Sequence, residues 1–176
     1  MRKIIFLLFL FTYLVSQVTA ISQNLPTTIK VQGMEMATAF MKNDFNTFVK
    51  FMHPSVIAFA GGEEAMKTKM DSAYKTMKRF GVNFKRYWIG SPGTIINYKN
   101  QLQAVLPVSV SLTTPLGILT TETSMIVISN DKGKNWWFID TNVYLVEHLK
   151  DILPHFSTEL VIPPRQKPKM EPLSHT

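Results

Sequence analysis

A chain of 176 residues, 45% apolar and 18% charged, carries enough hydrophobic side chain for one packed domain and too little charge for a disordered one. It has no cysteine, which excludes disulfides, thiolate metal sites, a cysteine nucleophile and a lipid-bearing cysteine. The formal charge of +7 would favour acidic surfaces. The basic residues are scattered, however, outside Lys67–Arg86 and the C-terminal tail, so no nucleic-acid partner is expected.

The amino terminus reads as a cleavable leader over residues 1–20. Met1-Arg2-Lys3 is positive, Ile4 to Val15 is almost wholly apolar, and Val18-Thr19-Ala20 suits a cleavage site. The apolar run falls short of the roughly 20 residues of a membrane span. The expectation is export, periplasmic or secreted, with no membrane span after cleavage. One domain then covers 21–153, and a Pro-rich basic tail covers 154–176.

A first helix is predicted from about Ile29 to Lys42, with Met34, Ala37, Phe40 and Met41 on one face. Asp44 is a suitable N-cap for a second helix carrying Phe45, Phe48, Val49 and Met52, ended by Pro54. Val56 to Ala60 reads as a short strand. Gly61-Gly62-Glu63-Glu64 superficially resembles a phosphate loop, but two carboxylates in a first helical turn would repel phosphate, so it reads as a turn and helix start. The third helix runs to about Phe80 with a stripe of Met66, Met70, Ala73, Tyr74 and Met77, and is stopped by Gly81. Its lysines and Arg79 form a solvated side. Phe84 to Ile89 and Thr94 to Tyr98 read as strands. The second of these is either separate from the next strand or continuous with it through a bend at Lys99-Asn100.

Leu102 to Asp140 is the organising stretch. Leu102, Ala104, Leu106, Val108, Val110 and Leu112 alternate with mostly polar residues, Gln103, Ser109 and Ser111 among them, as in a strand with one buried face. Pro115 and Gly117 mark a turn into Ile118–Ser129, and Asn130–Lys134 marks a turn into Trp136–Thr141. Pairing Thr113 with Ile118, and Ser129 with Trp136, puts Leu106, Val108, Leu119, Thr123, Met125, Val127, Trp136, Phe138 and Asp140 on the core face. Val105, Ser109, Glu122, Ile126, Ile128, Trp137 and Ile139 take the other face. Leu145, Leu149, Ile152 and Leu153 predict a short final helix ended by Pro154. From Val161 the prolines and basic residues predict an extended, disordered tail.

This order predicts an α+β fold: a curved antiparallel sheet with three N-terminal helices packed on one face, a short C-terminal helix and an extended tail. It resembles the nuclear transport factor 2-like superfamily. The resemblance is carried by Ala39-Phe40-Met41-Lys42-Asn43-Asp44-Phe45, by Phe51-Met52-His53-Pro54, and by Gly133-Lys134-Asn135-Trp136-Trp137-Phe138-Ile139-Asp140. It covers roughly Ile29 to Val143. It implies a cone whose interior is often incompletely filled. Relatives include ketosteroid isomerases, polyketide cyclases, dehydratases and association domains without known catalysis, so fold alone does not give function. Their catalytic patterns, a carboxylate with a Tyr or a His–Asp pair, do not match this chain position by position, so no catalytic residue is carried over.

Read from the residues, Asp140 and His53 are the candidate acid/base groups. A carboxyl on an apolar face resists ionisation, and His53 with it would form a proton-transfer pair. The alternative is structural: Asp140 sits at the strand end and caps the last helix or pairs with a lysine, and His53 meets helix-terminal carbonyls. Met34, Met70, Tyr74, Tyr87, Trp88, Tyr98, Met125, Trp136 and Phe138 either line an apolar ligand pocket or fill the core. Ile126, Ile128, Trp137 and Ile139 would leave an open apolar patch suited to a homodimer interface. His148, His155 and His175 share no ligand spacing with His53, so neither metal nor cofactor is expected. The leading expectation is an exported, non-catalytic small-ligand-binding or association domain for an apolar or amphipathic molecule. The alternatives are a cofactor-independent isomerase, cyclase or dehydratase using Asp140 and His53, or a cell-surface partner-binding protein using the basic tail.

Overall fold

The long hairpin expected between Leu102 and Ser129 is present in the predicted register. In the computed structural model, which describes residues 25–143 and 149–172, β3 (Gln101–Thr114) pairs antiparallel with β4 (Gly117–Ser129) from Leu102↔Ser129 to Thr114↔Gly117. Thr113 lies opposite Ile118. The connection is the two-residue loop Pro115-Leu116, closed by the Thr114 hydroxyl donating to the Gly117 carbonyl at 2.9 Å, with Gly117 at φ 142°. β5 (Trp137–Asp140) then pairs with β4, Met125 opposite Asp140 and Ile128 opposite Trp137. The turn before it is held by Ser129, whose Oγ accepts from the Gly133 N–H at 2.9 Å, and by Asp131, which accepts from Asn135.

The sheet is antiparallel and unclosed, with a central order β1-β3-β4-β5. β1 (Asn83–Ile89) takes the C-terminal half of β3, and β2 (Ile96–Tyr98) takes its first residues. Lys99 and Asn100 both have positive φ and turn β2 directly into β3. The segment is therefore a tight hairpin arm, not a continuation of β3 through a bend.

Five α-helices accompany the sheet among the described residues: α1 (Leu25–Met41), α2 (Phe45–Phe48), α3 (Pro54–Phe59), α4 (Glu63–Arg79) and α5 (Leu149–Ile152), with a 3-10 turn at Val49–Phe51. Asp44 caps α2 through the Thr47 N–H at 3.1 Å. α3 replaces the strand expected at Val56–Ala60. Pro54 sits in its first turn, where a missing N–H costs nothing and φ is already helical, and His53 caps it. Pro54 thus starts a helix as well as following one. α4 begins after Gly61 and Gly62, both at positive φ, and Lys67 pairs with Glu63 and Glu64 in its first turn.

Two apolar clusters lie on the two sides of the sheet. The first joins Ile29, Met36 and Ala37 of α1 to Ile89, Leu106, Val127, Trp136 and Phe138. Gly33 is the point of closest approach: a Cβ there would stand 2.9 Å from Ile89 Cδ1 and 3.2 Å from Phe138 Cε1. The second joins Val49, Val56 and Met66 to Ile126, Ile128 and Ile139, closed by Leu149, Ile152 and Leu153. This corrects two expectations. Helical segments reach both faces of the sheet rather than one. Ile126, Ile128 and Ile139 are at most 1% exposed and Trp137 is half-buried, so the expected open patch is covered by the chain itself.

The tail also departs from its expectation. β6 (Lys169–Pro172) pairs antiparallel with Gly117–Thr120 of β4, and Arg165 Nη2 donates to the carbonyls of Thr141 and Asn142, each at 2.7 Å. This ordered segment completes the six strands. The leader, Leu145, His148 and His175 lie outside the described residues.

Candidate functional site

The α4 stripe does not close onto the sheet. Of its 17 residues only Met66 is buried; Met70, Tyr74 and Met77 are half-buried and Ala73 is exposed. These side chains form one wall of a cavity of about 520 Å³. Met36 and Phe40 of α1, with Phe45 and Phe48 of α2, form a second wall. The floor is sheet: Phe84 and Tyr87 from β1, Val110 from β3, Met125 from β4, and Phe138 and Asp140 from β5. Tyr74 spans the space as an aromatic pillar, edge-on to Phe45 at 6.4 Å and stacked on Phe84 at 6.5 Å. Methionine adapts to irregular apolar shapes, and a lining of methionine and aromatic rings suits a molecule of variable outline.

Asp140 and Lys69 are the charged side chains at this cavity. Lys69 reaches the Ala60 carbonyl at 2.9 Å and is exposed. Asp140 ends β5; its Oδ1 accepts from the Asn142 N–H at 2.7 Å and from the Thr123 hydroxyl at 3.5 Å. Burial pushes the Asp140 carboxyl above the ordinary carboxylate range, while the Asn142 N–H, the Thr123 hydroxyl and the more distant Arg165 charge act against that shift. Asp140 therefore both turns the strand end and faces the cavity. Tyr87 lies in the same floor, 8% exposed, and its phenol is pushed up by burial and then by the Asp140 charge.

A stability consequence follows for Asp140. A carboxyl whose folded-state pKa is raised holds its proton better folded than unfolded. Stability is therefore greatest with Asp140 protonated and falls as pH rises through the folded-state value. Asp140→Asn keeps an acceptor for Asn142 without the buried charge. It is expected to be more stable than the wild type at pH 7. Below the ordinary Asp value of 3.8 the gain should vanish. Urea titrations of both proteins at the two pH values read this directly, and an Asn variant less stable than wild type at pH 7 would contradict it.

His53 is not part of this site. Its Nδ1 accepts from the Ser55 N–H at 3.2 Å, and its ring stands edge-on to Trp137 at 5.0 Å. Burial lowers its pKa, so the neutral ring is the stable form at pH 7. It lines a different, smaller cavity with Gln101 and His155. The expected His53–Asp140 pair is not assembled, because the two belong to opposite sides of β5.

Of the expected pocket residues, Met70, Tyr74, Tyr87, Met125 and Phe138 line the cavity and four do not. Met34 is on the solvent side of α1, 41% exposed, and Trp88 is 42% exposed beside a polar cleft walled by the tail. Trp136 is a core residue whose Nε1 donates to the Gly133 carbonyl at 3.0 Å. Tyr98 lies on β2 under the Lys99 ammonium, away from the cavity. The lining residues Phe40, Phe45, Phe48 and Met77 read as packing stripes in the sequence. The signal was the stripe itself, since three helical stripes converge on one space. Among the described residues no group of three or more His, Asp or Glu is placed to hold a metal, and no helix is long and apolar enough to cross a membrane.

No family model, curated protein or solved structure matches this chain.

Proposed function

We propose that this chain is a small-molecule-binding domain that takes an apolar or amphipathic ligand between α4 and the sheet. One observation carries the reading: the apolar stripe of α4 faces a cavity of about 520 Å³ instead of being packed shut. An amphipathic helix is held to its domain by burying that stripe. Leaving Met70, Tyr74 and Met77 half-buried gives up stabilisation that a bound apolar molecule would restore. The leader-like residues 1–20 support an exported binder.

The element order supports the finer picture of a cone-shaped fold resembling the nuclear transport factor 2-like superfamily, with this cavity as the interior of the cone. A cofactor-independent isomerase, cyclase or dehydratase would draw on Asp140, whose raised pKa suits proton transfer, without His53.

Filling the space tests the proposal. The neutral dye N-phenyl-naphthylamine should brighten on binding the wild-type protein. Ala73→Trp from the helix wall and Val110→Trp from the sheet floor should each weaken that binding by about tenfold or more, with thermal stability unchanged or raised. Dye binding retained in both variants, or absent from the wild type, would overturn the reading.

A further inference from the structure

We propose that the cavity selects a hydrophobic amine, its ammonium lodged between the Asp140 carboxylate and the Tyr87 hydroxyl among the surrounding aromatic rings. This rests on the binding role proposed above and specifies its ligand class.

Three observations converge. The first is Tyr87. It is more than nine-tenths buried and lines the cavity, yet its hydroxyl has no hydrogen-bond partner among the described residues. A phenol hydroxyl can both donate and accept, and this one makes neither bond within the described residues. Its oxygen opens onto the cavity rather than being sealed in protein, so a ligand atom is placed to supply the missing bond.

The second is Asp140, which faces the same space. The Asn142 and Val143 N–H groups and the Thr123 hydroxyl stabilise its charge, but none of them is a cation. Arg165 acts on it from outside, with its guanidinium held by the Thr141 and Asn142 carbonyls. Lys69, the one cationic side chain lining the cavity among the described residues, is exposed and tied to the Ala60 carbonyl. The carboxylate thus lacks a counter-ion within the cavity. A ligand ammonium would supply one and would also donate to Tyr87 Oη.

The third is the ring environment. Phe40, Phe84, Tyr74 and Phe45 form a contiguous aromatic wall, Phe40 edge-on to Phe84 at 5.1 Å and to Tyr87 at 6.4 Å. Ring faces attract a desolvated cation and do nothing comparable for an anion. A carboxylate head would instead meet Asp140 as a like charge in a poorly solvated space. An alcohol would satisfy Tyr87 and leave Asp140 unpaired.

The test compares octylamine, octan-1-ol and octanoate as competitors of N-phenyl-naphthylamine on the full chain at pH 7, in wild type and in Asp140→Asn. The expected order is amine, then alcohol, then carboxylate, with the amine about tenfold tighter than the alcohol. In Asp140→Asn the amine-to-alcohol ratio should fall toward one, and Tyr87→Phe should reduce amine affinity severalfold. Octanol or octanoate competing as well as octylamine would overturn the amine assignment while leaving the cavity's binding role intact. An amine preference that persists in Asp140→Asn would do the same. A dye that does not bind the wild type at all would remove both.

Discussion

Phe138→Ala is expected to cost about 3–5 kcal/mol of folding stability, a large share of the roughly 5–15 kcal/mol available to a domain. Phe138 is 1% exposed and packs with α1, the 3-10 turn and the sheet. Its backbone pairs with Val127 on one side and bridges to Met52 on the other. Its ring meets Phe51 edge-on at 6.3 Å and lies against the Gly33 backbone, where no side chain intervenes. Truncation removes the ring and leaves a void that Gly33 cannot fill. The void would merge with the cavity already beside it, which limits how far the surroundings can collapse. Phe138→Leu, which keeps most of the volume, should cost about 1 kcal/mol. Urea unfolding with an unchanged slope would read both values. A loss below about 1 kcal/mol for the alanine variant would show that Phe138 does not join these elements.

The parts of the fold legible in the sequence are those decided by local chemistry. The register of β3 on β4 follows from Pro115 and Gly117 in a short turn and from the alternation of β3 before it. The pairing of Ser129 with Trp136 across the next turn then places Asp140 opposite Met125, as observed. The cap at Asp44 and the helix start after Gly61-Gly62 were readable for the same reason. The misread parts depend on what covers what. Met125-Ile126-Val127-Ile128 is four apolar residues in a row, and both alternating sets are buried because α1 packs on one side and α3 and α5 on the other. Such a run signals two-sided burial, and treating it as simple alternation left Ile126 and Ile128 open to solvent. Periodicity likewise shows that Met70, Tyr74 and Met77 share a face, but not whether that face meets side chains or empty space. Tyr87 was legible as a pocket-lining aromatic but not as a polar group within it. Its unpaired hydroxyl and its neighbourhood with Asp140 exist only once β1 is folded against β3.

The C-terminal segment depends on a residue that alternation assigns to solvent. Gln103 is expected on the polar side of β3, yet it is fully buried. Its Nε2 donates to the His155 carbonyl at 2.7 Å and its Oε1 accepts from the Ser157 N–H at 3.0 Å. One amide thus satisfies a donor and an acceptor of a backbone that has no ladder of its own. Ser157 is itself buried, and Leu153 and Ile152 close the second apolar cluster just before it. Gln103→Leu keeps the volume and removes both bonds. Each stranded backbone group would cost about 1–3 kcal/mol if it stayed buried, so the expected loss is about 2–4 kcal/mol after partial release to water. The release should be local first. Amide exchange at Ser157 and proteolysis between Pro154 and Arg165 should accelerate before global unfolding does, because β6 contributes exposed side chains and little apolar burial to hold the segment down. Gln103→Glu separates the two bonds: it keeps the acceptor for Ser157 and sets a carboxylate against the His155 carbonyl. It should therefore be destabilising at neutral pH and recover as the pH is lowered and the new carboxyl takes up a proton. If Gln103→Leu costs less than about 0.5 kcal/mol and leaves the Ser157 amide protected, the segment is held by Arg165 and β6 rather than by this side chain.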